Sequence, residues 1–219
     1  YLGEARQHLP VRQSETAGWE ELQRALELDP DSVAARSFLA LYWERRGDFS
    51  RAVEAYQAAL DREPENPELH ASYARQQARL GDLNQALESY RRAVELAPRD
   101  AEFLGHLVDF SLEYEVDVTG IALPAARRAV ILNPRNPETL VRMARVFLKL
   151  EDEESAERFL NRALRLGPDH PHVHLGFGML HLLRGDFDGA RQALDRVRDL
   201  APDSPAAGHS QRLLEAFFP

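Results

Sequence analysis

The chain has 219 residues, of which 44% are hydrophobic, and it carries a formal net charge of −9 at pH 7. This charge predicts repulsion from nucleic acids and anionic membranes, and no apolar run is long enough for insertion into a bilayer. Cysteine is absent, which excludes disulfides and thiolate metal sites.

Residues 1–30 predict a degenerate half-repeat made of two helical pieces. EARQHL, at residues 4–9, is compatible with a short helix that Pro10 interrupts. TAGWEELQRALELDP, at residues 16–30, places Trp19 and Leu22 on one side of a longer helix, together with Leu26.

Residues 31–64 predict a helical hairpin. Apolar residues recur at steps of three and four in both halves, which puts each set on one face of a helix. The two sets are Phe38, Leu39, Tyr42 and Trp43, then Phe49, Ala52, Val53, Tyr56 and Leu60. We expect Gly47 to end the first helix in the left-handed conformation, Asp48 to cap the second, and Pro64 to stop it.

The same pattern returns after thirty-four residues, in 65–98, and again in 135–168 and 169–202. Small and aromatic residues recur in phase: Ala40 with Ala74, Gly47 with Gly81, Ala52 with Ala86, Tyr56 with Tyr90, Ala59 with Ala93, and Pro64 with Pro98. A period of this length, with Ala-x₃-aromatic spacing and a closing proline, resembles the tetratricopeptide repeat family. The resemblance covers nearly the whole chain.

Residues 99–134 are the irregular repeat. They are two residues longer than the others, and EVDVTG, at residues 115–120, replaces the tight Gly-Asp turn. Pro124 falls inside the expected second helix, where it would remove a hydrogen bond. We therefore expect a longer loop and a second helix that starts late, with Pro124 in its first turn.

Residues 203–219 are expected to form a capping helix on the last hairpin, as solenoids require at their ends. The predicted fold is all-α: one domain over residues 1–219, built as a right-handed superhelical solenoid of antiparallel helix hairpins. It comprises the half-repeat 1–30, the repeats 31–64, 65–98, 99–134, 135–168 and 169–202, and the cap.

The resemblance implies a concave groove in which the first helices of the hairpins bind peptides. The matching positions that we expect to contact a partner are Arg45, Arg75, Arg79, Arg145, Lys149, Leu175, Met179 and Leu182. Because arginine binds carboxylates through paired hydrogen bonds, the expected partner is a protein or peptide with an acidic segment and apolar anchors. Alternatively, the arginines are a solvated face and the capping helix covers part of the apolar residues.

No catalytic, cofactor or metal site is predicted. A P-loop is excluded because the only lysine does not follow glycine. The best metal-ligand candidates are His170, His172 and His174 in DHPHVH, together with His181. We interpret them as packing residues, because His174 and His181 occupy apolar repeat positions and no second shell is evident.

The predicted function is a protein–protein interaction scaffold that binds peptide segments and is not an enzyme. Two alternatives stay open: a self-associating module joined through the Phe217–Phe218 end, and a regulatory arm of an enzyme whose catalytic domain lies outside this segment. The sequence shows no signal peptide, which slightly favours the cytoplasm, and it begins with Tyr1, as expected for a segment of a longer protein.

Overall fold

The computed structural model describes residues 11–218, with side chains described from residue 18 onward. In this part of the chain there are twelve α-helices, one π-helical turn and no strand. The short helix predicted at residues 4–9 lies outside the described residues.

The chain divides into two compact units between residues 96 and 97. The helices of the first unit are α1 (Val11–Leu28), α2 (Val33–Arg45), α3 (Phe49–Leu60), α4 (Pro67–Leu80) and α5 (Leu83–Leu96). Those of the second are α6 (Ala101–Glu113), α7 (Leu123–Leu132), α8 (Pro137–Lys149), α9 (Glu153–Leu166), α10 (Pro171–Leu183), α11 (Phe187–Leu200) and α12 (Pro205–Phe217), with the π-helical turn Val118–Ala122 before α7. The all-α helical repeat is thus confirmed, whereas the single domain stays a prediction.

Most helices begin at a side chain that accepts a hydrogen bond from a free backbone N–H of the first turn. The capping residues are Ser32, Asp48, Asn66, Asp100, Asn136, Asp152, Asp186 and Ser204. Asp48 caps α3 as predicted, with its carboxylate accepting from the N–H of Arg51. These caps explain why the second helix of a hairpin can start directly after a tight turn.

The turn inside each hairpin contains a residue with positive φ. In three hairpins it is a glycine: Gly47, Gly81 and Gly185 have φ of +73°, +86° and +70°. In the other two it is a glutamate, since Glu115 has φ +56° and Glu151 has φ +59°, and the longer turn of the irregular repeat adds Asp117 at φ +38°. Glycine adopts this conformation without the steric cost that a Cβ brings, so the two glutamates store strain.

The core of the first unit lies between α2, α3 and α4. Its buried residues are Ala40, Ala55, Tyr56, Ala59, Leu60 and Leu69. The in-phase alanines Ala40, Ala52, Ala59, Ala74, Ala86 and Ala93 are all 0% exposed. The alanines that recur in phase are therefore packing positions. At the start of this unit, the Trp19 ring stacks on Tyr42 at 4.7 Å and so joins α1 to α2.

The core of the second unit runs along α8, α9 and α10. It contains Leu140, Val141, Ala144, Leu148, Ala156, Leu160, Ala163, Val173 and Leu180. Two glycines bring α10 close to its neighbours. A Cβ at Gly176 would lie 2.5 Å from Leu160 Cδ2, and one at Gly178 would lie 2.6 Å from Leu194 Cδ2. The absence of a Cβ at these positions therefore sets the position of α10.

The prolines that close the half-repeat and the next four repeats each have a carbonyl that accepts a hydrogen bond from a side chain of its own unit. The pairs are Pro30 with Arg36, Pro64 with His70, Pro98 with Arg128, Pro134 with Arg162, and Pro168 with His174. These bonds satisfy carbonyls that the end of a helix leaves free, and they tie the end of one repeat to the next.

The irregular repeat behaves as the sequence predicts. Residues 114–117 separate α6 from the π-helical turn, and Pro124 lies in the first turn of α7. The hydroxyl of Ser111 donates to the carbonyl of Val116, which holds the longer loop against α6. This short α7 has ten residues, against fourteen in α9 and α11.

Candidate functional site

Equivalent positions of successive repeats lie side by side on the first helices of the hairpins. We call the surface formed by α2 and α4 the first-helix face of the first unit. The corresponding face of the second unit is formed by α6, α8, α10 and α12. On these faces, hydrogen-bonded ion pairs join residues that are 33 to 36 positions apart. A pair of this kind is therefore a direct consequence of the repeat length.

On the first unit, two of the predicted arginines converge on one carboxylate. Arg79 Nη1 lies 3.1 Å from Glu44 Oε1, and Arg75 Nη1 lies 3.9 Å from the same oxygen. The Glu44 side chain is 15% exposed, while those of Arg75 and Arg79 are 44% and 38% exposed. The guanidinium of Arg79 also lies over the Phe49 ring, 5.0 Å from its centroid.

The same face carries exposed apolar residues on α2. Phe38 is 63% exposed and Leu41 is 39% exposed. They fall on one stripe of the helix with Arg45, which is also exposed, because the three are three and four residues apart. Arg45, Arg75 and Arg79 outnumber the two carboxylates of these helices, Glu44 and the exposed Glu68 at the start of α4. The face therefore combines an excess positive charge with an apolar strip.

On the second unit, the predicted cations are paired within the chain. Asp109 accepts from Arg142 Nε at 2.8 Å and from Arg145 Nη1 at 2.6 Å, and Lys149 pairs with Glu115. Burial alone would lower the pKa of Arg142, but the charges of Asp109 and of a second carboxylate on α8 raise it, so Arg142 is firmly charged. This part of the face has matched charges.

Gly105 leaves room for the Arg142 side chain. A Cβ at this position would lie 2.8 Å from Arg142 Nη1 and 2.9 Å from Cζ. The guanidinium therefore rests against the backbone of α6, where it can reach Asp109 on the same helix.

The predicted apolar residues at the C-terminal end pack partly against the capping helix α12. Leu175 is 7% exposed and lies in a buried cluster with Leu194, Val197 and Ala206. Met179 and Leu182 are half-buried against this cluster, as are Leu213 and Leu214 of α12. The capping helix thus covers Leu175 and leaves Met179 and Leu182 partly accessible.

The histidines of DHPHVH, together with His181, separate into two groups. His174 donates to the Pro168 carbonyl at 2.7 Å, and the Nδ1 atom of His181 lies 2.7 Å from Asp186 Oδ2. By contrast, His170 and His172 face Glu138, the second residue of α8. His172 Nδ1 donates to Glu138 Oε2 at 2.7 Å, and His170 Nε2 lies 3.7 Å from the same oxygen.

The sequence analysis missed three features of these faces: the Arg142–Asp109 pair, the His172–Glu138 pair and the exposure of Phe38. The repeat length could have revealed the two pairs. Arg142 lies 33 residues after Asp109, and His172 lies 34 residues after Glu138, so a comparison of charges one repeat apart finds both. Phe38 was assigned to the apolar packing stripe of its helix, and no pattern in the sequence distinguishes it from the half-buried residues of that stripe.

In the described part of the chain, no helix has both the length and the apolar character required to cross a membrane.

Stacked helix hairpins with a constant period and accessible first-helix faces define an all-α helical-repeat protein. The tetratricopeptide repeat family model matches residues 20–67, 44–101, 119–171 and 141–205. The chain therefore belongs to the tetratricopeptide repeat family, whose repeats generally serve as non-catalytic protein–protein interaction modules.

Solved structures show the same fold at low sequence identity. A thermophilic tetratricopeptide repeat protein of Thermus thermophilus is 23% identical, with a TM-score of 0.69, and the match covers 84% of this chain and 99% of that one. PilF of Pseudomonas aeruginosa is 21% identical, with a TM-score of 0.65 and coverages of 92% and 91%. YrrB, described as having an unusual peptide-binding site, is 17% identical, with a TM-score of 0.56 and coverages of 87% and 97%. A search of curated proteins returned no match to this sequence.

Proposed function

We propose that this chain is a protein-interaction module that binds acidic peptide segments on the first-helix face of its first unit. The observation that carries the proposal is the excess of positive charge beside the exposed side chains of Phe38 and Leu41. Exposed apolar residues next to charged ones are typical of interaction surfaces. The peptide-binding tetratricopeptide repeat protein among the structural neighbours is consistent with this role.

The electrostatic part of the proposed binding uses Arg45, Arg75 and Arg79. The pairs of Arg75 and Arg79 with Glu44 join partly exposed groups, and such pairs contribute only about 0–1 kcal/mol each. A carboxylate of the partner would share the exposed guanidinium groups with Glu44, because displacing this mostly buried carboxylate from its cations would be costly. Charge complementarity of this kind chiefly raises the association rate, and added salt weakens it.

The apolar part of the proposed binding uses Phe38 and Leu41. A phenylalanine or leucine side chain that becomes fully buried contributes about 1.5–3 kcal/mol. Because Phe38 is 63% exposed before binding, most of this gain is available to a partner. An acidic peptide with one or two apolar anchors would therefore derive most of its affinity from the anchors and its selectivity from the charges.

For the second unit we propose additional apolar contacts through Met179 and Leu182, which pack on a buried cluster that includes Leu175. Both side chains remain half-buried beside the capping helix. Arg145 and Lys149 are assigned a smaller role, because each already pairs with a carboxylate of the chain.

The test starts from an unbiased peptide source. A random phage-displayed peptide library is selected on the intact protein, and a recovered peptide is synthesised with a fluorophore for anisotropy titrations at low and high salt. We expect recovered peptides to be rich in Asp and Glu with Leu or Phe nearby. Replacing Arg75 and Arg79 together by glutamate should weaken binding at least about tenfold, or 1.4 kcal/mol.

The matched control replaces Arg91 and Arg92 by glutamate, which makes the same charge change on α5, the second helix of the same hairpin. Because the reversed variant places new carboxylates beside Glu44, a second variant with Gln at positions 75 and 79 keeps the test valid if helicity is lost. Phe38→Ala should weaken binding independently of salt. Peptides without acidic enrichment, or equal losses in the two charge-reversed variants, would contradict the proposal.

Self-association through the C-terminal end is a second candidate, favoured by exposed aromatic rings. Phe187 and Phe217 are each 50% exposed, whereas Phe218 packs edge-on against Phe187 at 6.1 Å. Light scattering of the purified chain measures this directly. A monomer over the concentration range of the binding assay would exclude self-association as the main role.

A further inference from the structure

Three potential metal ligands meet at the start of two neighbouring first helices. Glu138 is the second residue of α8, His172 is the second residue of α10, and His170 immediately precedes α10. One donor atom from each residue can be chosen so that all three lie within 4.8 Å of one another. The shortest separation, 2.7 Å, joins His172 Nδ1 and Glu138 Oε2.

Helix capping does not explain the position of the His170 side chain. It stands where other helices carry a capping residue, yet its side chain makes no capping hydrogen bond. Its Nδ1 atom is buried and has no hydrogen-bond partner in the described part of the chain. Since Nδ1 makes no hydrogen bond there, it does not hold the ring in place, and the other ring nitrogen, Nε2, faces Glu138.

Glu138 is held in place as a ligating carboxylate would be. Its Oε1 atom lies 3.6 Å from Arg142 Nη2, and Arg142 in turn is held by Asp109. The neighbouring Arg142 guanidinium favours the ionised carboxylate, which is the form that binds a metal ion.

We propose that Glu138, His170 and His172 bind a divalent transition-metal ion, with Zn²⁺ as the best fit to this ligand set. Two histidines and one carboxylate form a known Zn²⁺ ligand combination, with metal–ligand bonds of about 2.0–2.2 Å. Ligand atoms around tetrahedral Zn²⁺ lie about 3.4 Å apart, so the separations of 2.7 Å and 3.7 Å require only small side-chain movements.

The proposed site has an open side. The His170 and His172 side chains are 31% and 41% exposed, and Glu138 is 25% exposed. Three protein ligands leave one position of a tetrahedral ion for water or for a carboxylate or imidazole of a partner. The proposal is independent of acidic-peptide binding on the first unit, since it uses no residue of that surface.

The test measures Zn²⁺ binding to the intact chain without an affinity tag. Protein freed of metal with a chelator is titrated with Zn²⁺ in a calorimeter, and Co²⁺ is added separately to give a visible ligand-field spectrum. We expect one ion per chain. Glu138→Gln and His172→Gln should each lose at least about tenfold in affinity, since even residues that only support metal ligands commonly cost this much.

His174→Gln is the matched control, because it removes a neighbouring histidine that binds the Pro168 carbonyl and does not face Glu138. His170→Asn provides a variant with a secure fold, since asparagine is a favourable capping residue at this position. Circular dichroism of each variant monitors folding. The proposal would be overturned if the parent binds Zn²⁺ only weakly. It would also be overturned if His170→Asn and His172→Gln keep the parent's affinity for Zn²⁺ while His174→Gln loses it.

Discussion

The close approach of α10 to α11 predicts opposite effects for two Gly→Ala substitutions in the second unit. Gly178 lies in α10 and faces Leu194 of α11, whereas Gly208 lies in α12 and faces open space. Alanine is the better helix former at both positions. We expect Gly208→Ala to stabilise the protein and Gly178→Ala to destabilise it relative to that control.

The magnitude follows from the space around each Cβ. At Gly178 the new methyl would lie 2.6 Å from Cδ2 and 2.8 Å from Cγ of Leu194, which is 0% exposed. Rotation of the side-chain end does not move Cγ away, so α10 or α11 has to shift, at a cost of about 1–3 kcal/mol for an overpacked core. At Gly208 the nearest atom is 3.9 Å away, and the helix-propensity gain of about 0.5–1 kcal/mol remains.

The stability of both variants is measured by urea unfolding followed by circular dichroism. Because repeat proteins need not unfold in two states, native-state hydrogen exchange in α10 and α11 then shows whether the loss of stability arises at this contact. The propensity gain is similar in both, so the difference in unfolding free energy between them is expected to be about 1–3 kcal/mol. Equal stabilisation by both substitutions would show that α10 does not depend on this close approach.

Two further predictions concern the turns and a buried phenol. Glu151→Gly should raise the unfolding free energy by about 0.5–1 kcal/mol, because glycine adopts the positive φ of this position without strain. Glu88→Gly, inside α5, is the control and should lower the unfolding free energy by about 1 kcal/mol. Urea unfolding measures both variants, and a lower unfolding free energy in both would refute the prediction. Burial, with a smaller contribution from the charge of Glu44, raises the pKa of Tyr56 above its ordinary 10.0, although Ser72 and Arg75 act in the opposite direction. As the pH rises, the unfolded chain releases this proton before the folded protein does, so the stability that Tyr56 contributes below pH 10.0 is lost at higher pH. The unfolding free energy of Tyr56→Phe, measured below and above pH 10.0, should therefore increase relative to that of the parent as the pH rises. A difference that does not change with pH would contradict the assignment.

The fold could be predicted from the sequence because its signals are local and repeated. Gly47 and Asp48 specify a turn and a cap within a few residues, and Pro64 ends the helix that follows. The period then multiplies each signal, so that even the irregular repeat could be interpreted by comparison with its neighbours. Pro124, for example, lies in the first turn of α7 as its chemistry requires.

The candidate surfaces were less predictable, since the charge that a residue offers to a ligand depends on whether a neighbouring residue of opposite charge already pairs with it. Arg145 and Lys149 were selected by position, but whether they are available to a ligand depends on Asp109 and Glu115, which come from other repeats. Leu175 was selected in the same way, and its burial depends on how α12 packs. Position within one repeat identifies the face of a helix, whereas the neighbouring repeat determines what that face presents.

This dependence also explains why one solenoid can hold unlike sites. A first-helix residue has as its lateral neighbour the residue one period away, so a single substitution changes an interhelix pair without altering the packing that the alanines and prolines maintain. Glutamate at 138 is a partly shielded anion because histidine stands at 172, while Glu102, at the equivalent position one repeat earlier, has a side chain that is 74% exposed. The packing positions must keep the period for the hairpins to stack. The exposed positions of the first helices are free of this constraint, so charge, apolar contacts or metal ligands can arise there in one repeat while the packing of the other repeats is kept.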